Sequence, residues 1–175
     1  YRKEMMDIIE FKNVEEKDYF RLTALIEKLA DESNFYPFTS GDYNVSDEGQ
    51  KLFIQRLNNE KNSYICGAYF KDDMVGVVYL YGGNRIRNYH STTLGIGVLK
   101  SHTNLGIGKK LMQEAIDYAY NSDVIGKINV QVIKENIRAI SFYKKNGFEV
   151  EGVEKRSLFI DGIFYDAINM GLIIQ

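Results

Sequence analysis

LGIGVLKSHTNLGIGKKLMQEA, residues 94–115, holds the same four letters, LGIG, twice, eleven positions apart. The first copy lies in an apolar run that reads as a strand over about 91–99. The second stands where Ile107, Leu111, Met112, Ala115, Ile116 and Ala119 start to recur along one helical face, with only the polar turn SHTN between the two. A helix start leaves backbone N–H groups without partners at the positive end of the dipole, and glycine removes the Cβ that would hold a bulky anion away. Gly106 and Gly108 therefore suit a phosphate cradle or, equally, a tight strand-to-helix turn. Two nucleotide motifs fail on spacing. A Walker A loop needs Gly at 103 and Ser or Thr at 110, where the chain has Thr103 and Lys110. A dinucleotide fingerprint needs a third glycine at 111 or at 100, which are Leu111 and Lys100.

Outward from this stretch, KINVQVI (127–133) alternates as a strand, and 136–145 reads as a short helix that Asn136 would N-cap and Asn146-Gly147 would end. FEVEGVEKRSLFI and IFYDAINMGLII flank Asp161-Gly162, a strong hairpin signal. Upstream, YICGAYF and MVGVVYLY, separated by Lys71, Asp72 and Asp73, read as another hairpin. Two helices precede it. One covers 18–31 with Leu22, Leu25, Ile26 and Leu29 on a face; the other covers 47–57 with Leu52, Phe53 and Leu57, behind Asp47 and Gln50 as a capping-type pair. Between them lies DESNFYPFTSGDYNVS, a loop rich in aromatics. Strands and helices mix, with antiparallel hairpins at both ends and one β-α-β unit in the middle, so the fold class is α+β (mixed α/β).

Composition narrows the function. The 175 residues are 45% hydrophobic and 26% charged, with a single proline and no low-complexity tract, which predicts one domain over 1–175. A net charge of −2 with Lys and Arg scattered among Asp and Glu gives no footprint for nucleic acid or an anionic membrane. No apolar run approaches the roughly 20 residues that cross a bilayer, and YRKEMMDIIEF has no signal-peptide core, so a cytoplasmic chain is expected, with Met5 or Met6 as its native start. Cys66, the one cysteine, reads as buried filler in a strand. His90 and His102 have no Cys or carboxylate neighbours at ligand spacing, so no metal is expected.

The order of signals decides among the remaining classes. Val98, Thr103, Gly106 and Gly108, then the helix, the strand at 127–133, and Asn136, Ala139, Ile140, Tyr143, Gly147 and Phe148 together resemble the GNAT family of N-acetyltransferases from about residue 64 onward. The resemblance implies the GNAT fold: a central, mostly antiparallel twisted sheet with one parallel, splayed strand pair, flanked by helices. It also implies acetyl-coenzyme A as co-substrate and no metal. The amides of Asn104, Leu105, Gly106, Ile107, Gly108 and Lys109 would wrap the pyrophosphate, although Thr103 stands where the family usually has Gln or Arg. The pantetheine arm would lie along LGIGV against main chain near Ile96, Gly97 and Val98, on a strand splayed by a bulge; the plainer reading is that Gly95 and Gly97 admit close packing. A backbone N–H there could stabilise the oxyanion.

The same resemblance places Asn136 against the coenzyme and Tyr143 beside its sulfur, as the acid that protonates the departing thiolate. A glutamate common in relatives is replaced by Thr93, between Thr92 and Leu94. The base is therefore a water, or His90, Glu32 or Asp166. The acceptor pocket would draw on Phe35, Tyr36, Phe38, Phe159, Phe164 and Tyr165. NGFEVEG and YDAINMGL look most like bacterial members that acetylate small amines, amino acids or protein N-termini, and an α-amine of pKa near 8 needs the least help with its proton. The expected partner is a small-molecule or peptide amine, and a strand exposed after Asp161-Gly162 could pair two copies into a homodimer. The rival reading is a catalytically silent acyl-coenzyme A-binding sensor or assembly module.

Overall fold

The computed structural model describes residue 6 and residues 8–174; expectations about the chain's start fall mainly on residues 1–5 and 7, outside the described residues. The strands are β1 Ile9–Asn13, β2 Tyr64–Phe70, β3 Asp73–Gly82, β4 Ser91–Val98, β5 Lys127–Ile133, β6 Glu149–Ile160 and β7 Ile163–Ile173. The helices are α1 Tyr19–Glu32, α2 Asp47–Asn59, α3 Ile107–Tyr120 and α4 Ile137–Lys145. All seven strands join one sheet in the order β1-β2-β3-β4-β5-β7-β6. Every neighbouring pair is antiparallel except β4–β5. A mixed sheet with one parallel pair, as expected, follows from a single β-α-β crossover through α3.

The periodicity of the sequence becomes burial. Ile107, Leu111, Met112, Ala115 and Ala119 of α3 are buried against the sheet. Ile107, Leu111 and Met112 each contribute roughly 1.5–3 kcal/mol by leaving water, and the alanines less. Leu22, Leu25 and Leu29 of α1 and Ile54 and Leu57 of α2 do the same. The second hairpin turns through Asp161 and Gly162 at φ 50° and 81°, the left-handed pair that a type I′ turn requires.

Two details differ from expectation. β1 was not legible: IEFKN is short and charged and buries only Ile9, so β1 owes its form to its five backbone partners along β2. The cap of α2 is Ser46, whose hydroxyl accepts the Gly49 N–H at 3.1 Å, not an Asp47–Gln50 pair. Gln50 is buried instead, taking the Tyr43 hydroxyl on Oε1 at 3.0 Å while its Nε2 has no acceptor among the described residues. No described helix is long and apolar enough to cross a membrane.

Candidate active site

β4 and β5 stay together for three rungs, Ser91↔Lys127 to Thr93↔Asn129, and then part. On its other edge β4 remains laddered to β3 without a register shift from Gly82↔Thr92 to Gly76↔Val98. The expected bulge is therefore absent on the β3 side; the splay arises where the parallel pairing stops. Two hydrogen bonds set the phase of this ladder: Gly83 N–H to Ser91 O, 3.0 Å, and Leu99 N–H to Val75 O, 3.0 Å. Odd-numbered β4 residues thus exchange bonds with β3, and the N–H and C=O groups of Ile96 and Val98 face the opening with no strand partner among the described residues. A widening fork with free main-chain groups on one wall can take an extended ligand as a substitute strand.

The face of the sheet beside the fork is built from tyrosines. Paired residues share a face, so Thr93, Gly95 and Gly97 line up with Tyr81, Tyr79 and Val77. A Cβ on Gly95 would collide with the Tyr79 ring, and one on Gly97 would stand 2.5 Å from a Leu29 methyl and 2.9 Å from the Tyr36 hydroxyl. The plainer reading of the first LGIG thus holds on this face, while the main chain facing the fork stays open. Phe53 of α2 meets Tyr79 edge-on at 5.5 Å and stacks on Tyr81 at 6.0 Å. The aromatic loop adds Tyr36, Phe38 and Tyr43, ring to ring at 5.9 and 5.2 Å.

The second LGIG forms the loop into α3. Thr103 is extended and its hydroxyl turns back to Lys100 O at 2.9 Å; Asn104 and Gly106 are left-handed, at φ 62° and 95°. Gly106 occupies the N-cap position, and its carbonyl takes the first helical bond, from Lys110 N–H at 3.0 Å. No backbone N–H from Asn104 to Lys109 finds an acceptor among the described residues. Such a run of unpaired donors at a helix start suits an anion. The Lys100 N–H donates to Glu32 at 2.8 Å, tying this loop to α1.

α4 brings the remaining expected residues to the same place. Asn136 caps it, accepting the Ala139 N–H at 3.1 Å, and Arg138 reaches back to Asn104 Oδ1 at 3.1 Å. Tyr143 is buried between Phe142 and Phe148, and its hydroxyl makes no hydrogen bond among the described residues. Burial raises its pKa well above the ordinary phenol value, and the nearby Tyr36 and Tyr79 hydroxyls add to the rise. Burial likewise pushes Tyr36 up to about 12, with Glu32 and Tyr79 contributing. Tyr143 is held as a neutral phenol, a donor rather than a base. Cys66 is buried with its thiol pushed up to about 11 by desolvation, which suits filler and not a nucleophile.

The expected groups of the C-terminal hairpin lie elsewhere. Phe159 and Phe164 pair at 4.7 Å on the exposed tip of the β6–β7 hairpin. His90 is exposed, and the Asp166 carboxylate accepts the Arg156 N–H at 2.9 Å, across the irregular part of β6. Sequence reasoning missed a cleft of about 260 Å³ at the closed end of the fork, lined by Arg56, Tyr81, Asn84, Asn88, Ser91 and Thr93 with the glycines between. One signal for it existed: Arg56 follows Phe53 by three residues, and so shares its helical face. Asn62, buried, pins the 83–90 loop over this cleft by donating to Gly83 O at 2.8 Å and Tyr89 O at 2.7 Å. Among the described residues no three His, Cys, Asp or Glu side chains group as metal ligands.

Comparison with known proteins gives the family that the sequence resembles. Residues 23–148 match the Acetyltransferase (GNAT) family. The L-amino acid N-acetyltransferase AaaT of Escherichia coli K12 is 31% identical over 119 residues, 68% of this chain and 74% of that protein. The spermidine N(1)-acetyltransferase of Vibrio cholerae is 26% identical over 128 residues, covering 73% of each chain. A crystal structure of a GNAT-family acetyltransferase from Streptococcus pneumoniae superposes with a TM-score of 0.91 at 27% identity, over 95% of this chain and 99% of that one.

Proposed function

The chain belongs to the GNAT acetyltransferase family, and from that premise we propose that it transfers the acetyl group of acetyl-coenzyme A to a primary amine by direct attack, with residues 1–175 acting as one catalytic domain. The observation that carries this reading is the convergence at one fork of three separate elements. These are the main chain of Ile96 and Val98 and the amides of Asn104 to Lys109, without partners among the described residues, and the hydroxyl of the buried Tyr143.

In this reading the amides from Asn104 to Lys109 hold the pyrophosphate, with Asn136 and Thr103 beside them. The pantetheine arm runs along Ile96, Gly97 and Val98 and delivers the thioester to the fork. A neutral amine attacks the thioester carbonyl, a backbone N–H of β4 stabilises the oxyanion, and the C–S bond breaks as Tyr143 supplies the proton to sulfur. Tyr143 is a neutral phenol at neutral pH, as an unperturbed tyrosine also would be, so the proton it gives to sulfur is present. Among the described residues no carboxylate lines the cleft beside Thr93, so the proton of the amine leaves through water. The lack of a side-chain base favours amines of lower pKa.

The test is product analysis. The protein is incubated with acetyl-coenzyme A and a mixture of amino acids, polyamines and short peptides, and acetylated amines are sought by mass spectrometry. An N-acetylated product formed only with active protein supports the reading. Tight coenzyme binding without any acetylated product would instead favour a silent acyl-coenzyme A-binding module.

A further inference from the structure

Among the described residues, the cleft at the closed end of the fork carries one cation and no anion. Arg56 is half-buried, stacks on the Tyr81 ring with its guanidinium carbon 3.9 Å from the centroid, and donates Nη2 to Gly82 O at 3.0 Å. Among the described residues it forms no ion pair, and its Nε and Nη1 donors have no protein acceptor. A half-buried guanidinium, fixed in orientation by an aromatic face and a carbonyl and left with open donors, is arranged to take a carboxylate. The Asn84 side chain and the Asn88 amide nitrogen make no other hydrogen bonds among the described residues, and the Asn88 oxygen is occupied by the Arg85 N–H at 3.0 Å. The cleft therefore offers donors from Arg56, Asn84 and Asn88, and among these three its one free acceptor, the Asn84 oxygen, is uncharged.

Resting on the acetyltransferase reading, we propose that the acceptor is a small amine that also carries a carboxylate, an amino acid in chemical class, and that Arg56 is the residue that selects it. The same cleft includes Thr93, the last β4 residue paired to β5, so a carboxylate seated on Arg56 leaves the amine of the same molecule directed at the fork. A polyamine fits poorly for the same reason. Its further ammonium groups would meet a guanidinium and uncharged amides where a polycation site needs carboxylates. The volume of about 260 Å³ also suits a molecule of amino-acid size more than an extended chain.

The experiment compares kcat/KM for thiol release from acetyl-coenzyme A with an L-amino acid, its carboxamide and spermidine, in the native protein, Arg56→Gln and Arg56→Lys. With each rate expressed per neutral amine, since the carboxamide's amine is the less basic of the two, the native protein should prefer the acid over its amide by about 10- to 100-fold, the range for one charge-assisted pair. Arg56→Gln should bring that ratio towards one, chiefly through KM for the acid, and Arg56→Lys should restore part of it. The native comparison needs no variant and so stands even if Arg56→Gln folds poorly. Equal turnover of acid and amide, or preference for spermidine, overturns the assignment of Arg56 while leaving an N-acetyltransferase. Absence of thiol release with every amine overturns both.

Discussion

Tyr79 of β3 and Gly95 of β4 face each other across an antiparallel rung, and the Tyr79 ring fills the space that a side chain at 95 would need. That ring is held edge-on by Phe53 of α2, so it has little room to retreat. The first LGIG thus sets the distance between the sheet and the tyrosines that roof the fork.

Gly95→Ala should therefore displace Tyr79 and destabilise the protein by about 1–3 kcal/mol, the usual cost of overpacking. In a chain of this size each kcal/mol lowers Tm by roughly 2–4 °C. Adding Tyr79→Leu should recover part of the loss if the collision is the cause, giving a non-additive pair in thermal unfolding. Additive losses would place the effect elsewhere.

At Gly106 the requirement is conformational. Its φ of 95° costs an alanine about 1–2 kcal/mol, and the new Cβ would lie at the mouth of the unpaired amides. Gly106→Ala should lower Tm and raise KM for acetyl-coenzyme A several-fold. Gly106→Asn, which tolerates left-handed backbone better, should recover stability more than KM. Calorimetric titration of coenzyme A against both variants checks the split.

The buried tyrosines predict an alkaline limit. Tyr36 is pushed up to about 12, and Tyr143, Tyr79, Tyr64 and Tyr69 are also raised, each mainly by burial. A folded pKa above the unfolded value of about 10 means the folded state holds its protons longer. Their contribution to stability is then fully present below about pH 10 and is lost as pH rises through the folded values. Urea unfolding should weaken above about pH 10, with much of the tyrosinate absorbance appearing only as the chain unfolds. Complete ionisation near pH 10 with the fold intact would contradict this.

Much of this architecture was legible because it rests on local periodicity. The face of α3, the alternation of β5, the Asn136 cap and the Asp161-Gly162 turn each need only a few adjacent residues. What was not legible depends on register across the sheet. That Gly95 meets Tyr79, that Gly97 meets Tyr36, and that Arg56 shares a cleft with Thr93 follow from pairings between segments up to 61 residues apart. β1 was missed because its form comes from β2, and the α2 cap because Ser46 lay just outside the apolar pattern. The aromatics of the C-terminal hairpin misled because aromatic character alone does not say whether a ring turns to a cleft or to a hairpin tip.

The most direct test is amine-dependent thiol release from acetyl-coenzyme A by the native protein and Tyr143→Phe. Because the Tyr143 hydroxyl makes no hydrogen bond among the described residues, its removal should leave the fold and KM for acetyl-coenzyme A within about threefold. Loss of a general acid should lower kcat by about 100-fold or more. A Tyr143→Phe protein that turns over as fast as the native one, or thiol release that does not depend on the amine, would contradict acetyl transfer at this fork with Tyr143 as its acid.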